Sequence, residues 1–302
     1  MKLCVGACSR VIIEEAARLQ VPQIIASRRQ VDVGGGYTGL DQYGLVDLVG
    51  TLSGGQTKVV RDHGGPLQGG HDDDGIASLK TDVDAQFDYI HIDVCLLPKE
   101  EQLDALESLV RIFDEIGNPF IEVGDEHAPQ AWNDTLIGSV VDALTLRTAV
   151  ISVGTYIWED RQSLTQSAPM PPRNVAAVAK FYRKARIATK AHNMDWLETR
   201  NDYELALDYC NIAPEFGAVE IDAILDCLQE PEQLLQWAYE TGAWRRWYTD
   251  PGYDVTSLRA RAKTALRYLR SEPTMLEHMS TLGPEEEQHV REKVSDAIAA
   301  AM

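Results

Sequence analysis

Short apolar runs recur along the chain with amphipathic stretches between them, and eight can be marked: Leu3 to Ala7, Gln23 to Ser27, Thr57 to Asp62, Tyr89 to Val94, Pro119 to Gly124, Ala149 to Gly154, Arg186 to Ala191 and Asp208 to Ala213. Runs of this length joined by helical segments predict parallel strands with crossover helices. The helical spacing is plainest after the fourth run, where Leu103, Leu106, Val110, Phe113 and Ile116 recur at steps of three and four in a charged background. Similar patterns predict helices near 11–20, 134–146, 173–184 and 198–207. Gly34 to Gly55 is glycine-rich with little strong periodicity and reads as a loop, as does HDDDG at 71–75.

Eight such units predict a (β/α)8 TIM barrel over residues 1–228. Residues 229–302, with WAYETGAWRRWYTDPGY and RARAKTALRYLR, read as a C-terminal helical extension packed on the barrel or on a partner. The position of the polar residues favours a barrel over an open sheet. They stand at the ends of separate strands: Cys8-Ser9, Ser27-Arg28, Asp62-His63, His91 and Asp93, Glu126-His127, Tyr156 and His192-Asn193. Barrel enzymes build their sites at that carboxyl end from several strands, whereas an open sheet gathers them at one switch point.

Composition narrows the function. Among 302 residues, 47 acidic against 28 basic side chains give a formal charge of −19, which opposes binding to nucleic acid or to anionic lipid. No apolar run approaches the roughly 20 residues needed to span a bilayer, and the N-terminus has no leader-like apolar stretch. Five scattered cysteines match neither a disulfide framework nor paired zinc spacing. Reduced thiols and a cytoplasmic location are the expectation.

The candidate chemistry centres on Asp62-His63 in VVRDHGGP. A strand-end histidine can ligate a metal while the adjacent carboxylate, the candidate catalytic base, takes a proton. Strict alternation would send the two side chains to opposite faces, so joint action requires the strand to end or twist there, as Gly64, Gly65 and Pro66 allow. His192 and Glu126 end two further strands, and with His63 they form a candidate open site for a divalent ion, zinc first or manganese. In YIHIDV the polar set Tyr89, His91 and Asp93 shares one face. His91 and Asp93 read either as a buried structural hydrogen bond or as support for a metal and contacts to substrate hydroxyls. Ser9, Arg28, Tyr37, Thr38 and Asn193 complete the candidate substrate contacts. VDVGGGYTGL, which lacks P-loop or dinucleotide spacing, reads as an anion cradle or as a lid. HDDDG reads as a solvated loop, and the C-terminal aromatics as core or oligomer contact.

Taken in order, CS at 8–9, QV followed by GGYTG at 30–39, DHGGP at 62–66, IHID at 90–93, the turn from Gly124 to Glu126, AHNMDW at 191–196, WRRWYTD and the later RYL resemble the family of the tagatose-bisphosphate aldolase accessory subunit. That family is labelled non-catalytic and is similar to class II aldolases, barrels that use a divalent metal, and some relatives epimerise ketohexoses at C4. The resemblance places the aldolase Asp-His pair on Asp62 and His63, the fifth-strand carboxylate on Glu126 and the late metal histidine on His192. It implies a metal-dependent retro-aldol enzyme, aldolase or epimerase, acting on a sugar or sugar derivative. The alternatives are a non-catalytic subunit stabilising an aldolase partner and a metal-dependent proton-transfer isomerase. The protein partners left open are a second copy of the chain and an aldolase partner subunit. Departures from the family pattern are the absence of a metal histidine on the last strand, and Arg28-Arg29 where small polar residues are expected. Glu215 and Glu220 lie in the loop where related aldolases bind phosphate, so repulsion of phosphate is expected there, with Arg28 receiving a single anionic group.

Overall fold

The computed structural model describes residues 1–70, 72–117, 120–125, 130–143, 145–151, 156–159, 162–165, 172–192, 203, 207–243 and 258–302. Eight parallel strands close a barrel: β1 Lys2–Gly6, β2 Gln23–Ser27, β3 Lys58–Gly64, β4 Tyr89–Ile92, β5 Phe120–Val123, β6 Leu146–Val150, β9 Ala188–Ala191 and β10 Tyr209–Ile212. The order around the barrel follows the chain, with β10 returning to β1. Between β6 and β9 an antiparallel hairpin, β7 Tyr156–Glu159 and β8 Gln162–Thr165, is inserted. The helices are α1 Arg10–Arg18, α2 Gln42–Ser53, α3 Ile76–Asp84, α4 Lys99–Ile116, α5 Gln130–Val140, α6 Pro172–Lys184, α7 Pro214–Cys227, α8 Pro231–Glu240, α9 Leu258–Leu266, α10 Pro273–Ser280 and α11 Pro284–Ala301. The predicted (β/α)8 barrel is the observed fold. The helix expected at 198–207 falls almost wholly outside the described residues. No helix among the described residues is long and apolar enough to cross a membrane.

Two elements differ from the periodicity. β6 starts at Leu146, three residues before the run at Ala149, because its mixed first half covers the barrel floor, with the Arg147 guanidinium 4.7 Å over the Phe120 ring. The segment 34–55, expected as loop throughout, contains α2. Asp41 caps it by accepting from the Gly44 amide at 2.7 Å, and Gly54 closes it at φ 61°. Leu45 and Val49 are its fully buried anchors. Gly44 and Gly50 break up the apolar stripe and hid the period.

Alternation along the strands sorts the side chains. Outward positions such as Val5, Ile24, Val59, Ile90, Ile121 and Val123 are apolar and pack under the helices as one large cluster. Inward positions are different. A small apolar group of Cys4, Ile25 and Val60 is accompanied by Gln23, Glu122, Lys190, His91 and His192, all buried. The helices after β10 have a second cluster of their own, running from Ile221 through Leu234 and Leu266 to Val290. α11 returns to the first cluster through Val294, Ile298 and Ala301, and Arg291 on it binds Glu14 and Glu15 of α1.

One outward position breaks the apolar rule. Arg61 on β3 has no exposed side chain; Nε and Nη2 meet Asp82 of α3, while Nη1 donates to the carbonyls of Ala26 and Val31. A buried pair with one partner removed leaves an uncompensated charge. Arg61→Leu is therefore expected to cost about 3–5 kcal/mol, read as a lower urea midpoint. Arg61→Leu combined with Asp82→Leu should recover part of that loss.

Candidate functional site

The Asp62-His63 break occurs as the glycines suggest. Opposite Arg61 and Gly64 of β3 the register shifts: Arg61 pairs with Ile90 and Gly64 with Ile92, so one extra residue stands on β3. His63 takes φ 47°. This bulge turns both Asp62 and His63 toward the barrel mouth, with His63 Nε2 at 3.6 Å from Asp62 Oδ1. Gly65 is required just after it, at φ 131° and with the Asp93 carbonyl 2.6 Å from where a Cβ would stand.

A chain of buried charge rises to these residues from the floor. Lys190 Nζ lies 3.2 Å from both Glu122 oxygens and 2.8 Å from Gln23 Oε1. Glu122 Oε2 meets His192 Nε2 at 2.9 Å, and His192 Nδ1 meets Asp62 Oδ1 at 2.7 Å. His63 Nδ1 pairs with Asp93 Oδ2 at 2.5 Å. Burial would raise the Glu122 carboxyl, but Lys190 and His192 outweigh it and bring it down. Asp62 is held well below the usual carboxylate range in the same way, His63 and His192 overcoming burial, and so is Asp93, by its bond with His63. For His192, burial works against the cation, yet the two carboxylates prevail and raise its pKa. His192 therefore sits as an imidazolium between two anions.

His91 stands apart. Burial, aided by His192, pushes it down to about 4, so the ring is neutral. A carbonyl can only accept, so the 2.7 Å contact between His91 Nε2 and the Gly124 carbonyl places the proton on Nε2. Nδ1 is then a bare lone pair, buried and without a partner among the described residues. Its ring centroid is 5.7 Å from that of His63 and 4.4 Å from that of His192. Asp62, His63 and His91 each offer one ligand atom, and these lie within 4.8 Å of one another.

The structure thus brings together Asp62, His63, His91, Asp93 and His192. Glu126 and Asn193 lie outside the described residues. His192, expected as a metal ligand, has both ring nitrogens engaged by carboxylates, and the lone pair falls to His91 instead. Arg28, expected to receive a substrate anion, is 4% exposed and already held: Nε by Asp32, Nη1 by Asp73 and the Gly65 carbonyl, Nη2 by Asp73. Asp73 belongs to the segment read as a solvated loop, which Arg28 pins beside the bulge. Ser9 caps α1, accepting from the Ile12 amide at 3.1 Å. Thr38 donates to the Gln30 carbonyl at 2.7 Å, and Tyr37 packs edge-on against Tyr268, folding the glycine segment back on itself. Glu220, expected to repel anions, is ion-paired with Arg270. Sequence reasoning missed Glu122 and Lys190. The signal was present: Lys190 has the same parity as His192 in ATKAH, and Glu122 stands inward between Ile121 and Val123.

No protein-family model matches the chain, and no curated protein matches it. Among solved structures it is similar to a probable tagatose 6 phosphate kinase from Sinorhizobium meliloti 1021, with TM-score 0.71 and 17% identity over 99% of this chain and 98% of that one. A glycerol complex of the fructuronate-tagaturonate epimerase UxaE from Cohnella laeviribosi gives TM-score 0.64 and 12% identity, covering 99% and 80%. The fructose-bisphosphate aldolase of Campylobacter jejuni gives 0.58 and 13%, covering 99% and 88%. Likeness at these identities establishes a shared barrel fold.

Proposed function

We propose that the barrel mouth is the active site of a divalent-metal-dependent enzyme that cleaves and re-forms a carbon–carbon bond in a sugar or sugar derivative, as an aldolase or as an epimerase. One observation carries this reading: two histidines whose outer nitrogens are pinned, His63 by Asp93 and His91 by the Gly124 carbonyl, present their inner nitrogens beside the Asp62 carboxylate. Pinning the far nitrogen of a ligating imidazole is how proteins prepare a metal site.

His63 and His91 would hold the ion, and imidazole ligands suit zinc, with manganese the alternative, while Asp62 beside them is kept for proton transfer. A bound ion supplies Lewis-acid stabilisation of negative charge on a sugar carbonyl oxygen. Asp62, ionised at neutral pH, takes the hydroxyl proton from the carbon that becomes an aldehyde. As that C=O forms, the adjacent C–C bond breaks and its electron pair passes to the ketone side as an enediolate. His192 keeps Asp62 oriented from below. Release of the aldehyde and protonation of the enediolate at carbon gives an aldolase; rotation and re-addition, with Asp62 returning its proton to the new alkoxide, gives an epimer. The aldolase and epimerase named among the structural neighbours support this chemistry. A kinase reading lacks a phosphate-binding G-x-x-x-x-G-K-[ST] loop in the sequence. The reaction test is to follow the metal-loaded protein with a panel of ketoses, uronates and their phosphates by NMR. No turnover in a chain that also binds no ion would favour the non-catalytic partner role.

The ligand set separates from its rival by mutation. His63→Ala and His91→Ala should each abolish tight zinc binding measured by calorimetry, while His192→Gln should retain it. Asp93→Asn should weaken it about 10- to 100-fold. Retained zinc in His91→Ala with loss in His192→Gln would reverse the assignment.

Asp62→Asn should lower kcat by about 10²–10⁴, as expected for lost acid–base catalysis. A variant with near-normal kcat would remove Asp62 from the proton-transfer role.

In the metal-free chain His192 also makes stability depend on pH. Its folded pKa is raised above the ordinary imidazole value of 6.5 by its two carboxylate partners. Its contribution is therefore complete below about pH 6.5 and is lost as pH climbs through the folded value. The gap in urea midpoint between wild type and His192→Gln should be widest below about pH 6 and should narrow as pH rises beyond the ordinary imidazole range. A gap that widens with rising pH would contradict the imidazolium.

A further inference from the structure

The carboxylate expected to keep anions away is neutralised from an unexpected direction. Glu220 of α7 is 1% exposed, and its Oε2 meets Arg270 Nη2 at 2.5 Å, fifty residues further along in the segment between α9 and α10. Arg270 is 7% exposed. It commits one nitrogen to Glu220, while among the described residues Nε and Nη1 have no hydrogen-bond partner, and neither does Glu220 Oε1. Buried donors and acceptors left unmade keep their full desolvation penalty, so such a group is either strained or awaits a ligand.

The surroundings favour a ligand. Ser9, just past the carboxyl end of β1, lies within hydrogen-bonding reach of the Glu220 carboxyl. Tyr268, two residues before Arg270, packs on the Tyr37 ring with centroids 5.8 Å apart. The C-terminal segment thus brings the guanidinium to Glu220 and toward the residues that follow the carboxyl ends of β1 and β2, the end of the barrel at which Asp62 and His63 close β3. Geometry then limits what it can take. Nη2 has a hydrogen on each edge of the planar group, and the single Glu220 contact leaves one edge with a complete two-hydrogen fork, the shape that fits a carboxylate or phosphate. Glu220 Oε1 next to it can only accept when ionised.

We propose that Arg270 and Glu220 form a subsite for the oxyanion end of a hydroxylated ligand, the oxyanion accepting from the open edge of Arg270 and a ligand hydroxyl donating to Glu220 Oε1. This chemistry is shared by sugar acids and sugar phosphates and excludes neutral sugars from tight binding. It deepens the proposed function and rests on it for the placement of the reacting end, but binding can be read without turnover.

The test is calorimetric titration of the full chain with gluconate, inorganic phosphate and the neutral polyol glucitol. Saturable binding of gluconate or phosphate, with none of glucitol, is expected, and the anion that binds names the source. Arg270→Met combined with Glu220→Met removes both charges together, so none stays buried alone; it should melt cooperatively and bind the anion at least about tenfold more weakly. Arg270→Lys keeps the charge and loses the fork, and should also weaken binding, which decides the matter if the double variant does not fold. Absence of saturable anion binding, equal binding of glucitol, or full affinity in the variants would overturn the subsite. Arg270-dependent anion binding in a chain that neither holds zinc nor turns over sugars would leave the subsite standing and count against the proposed reaction alone.

Discussion

A lysine ammonium with no exposure in the middle of a barrel must be neutralised where it stands, and much of this site follows from that requirement. Lys190 is neutralised by Glu122, which shares its second contact with His192; His192 in turn holds Asp62. The signs alternate from the floor to the mouth. Taking such groups out of water is expensive, and removing one member would leave its neighbour buried and uncompensated. The ladder thus locks His192 and Asp62 into one arrangement, so the groups at the mouth are held before any ligand arrives, as preorganised chemistry requires. Such an interior differs from the layered aliphatic filling common to these barrels.

The second constraint is the bulge that lets adjacent residues face the same way. A positive φ at a histidine is unfavourable in isolation, and the surroundings hold it. Arg61, two residues before His63, is tied to α3 and to two carbonyls near β2. Gly65, two residues after it, gives its carbonyl to Arg28, which also grips Asp73 and Asp32. Two buried arginines therefore bracket Asp62-His63, one on each side. Arg28 has charge and position suited to a substrate anion, but its donors already serve the loop that shapes the site.

The C-terminal helices are structural partners of the barrel as well as an addition to it. α11 completes the apolar layer over α1 and α7, and the preceding segment carries Arg270 to buried Glu220. Electrostatics at the mouth cannot be read from the strands alone, because a carboxylate on α7 changes meaning once an arginine from fifty residues later covers it.

The sequence by itself determined the strands, their parallel order and the carboxyl-end location of the chemistry, since these follow from short-range alternation and from glycines that interrupt it. Asp62, His63, His91 and Asp93 were legible for the same reason: adjacency and parity place them. The tertiary structure alone decided which partners they have. His192 reaches Asp62 across 130 residues and Glu122 across 70, Lys190 reaches Gln23 across 167, and Arg28 reaches Asp73 across 45. Barrel closure creates these contacts, and no local pattern encodes that Glu122 meets both Lys190 and His192. The choice between His91 and His192 as the imidazole with a lone pair to offer was likewise invisible, because it depends on what sits behind each ring: a carbonyl that fixes a neutral tautomer on His91, and two carboxylates that hold a proton on each nitrogen of His192.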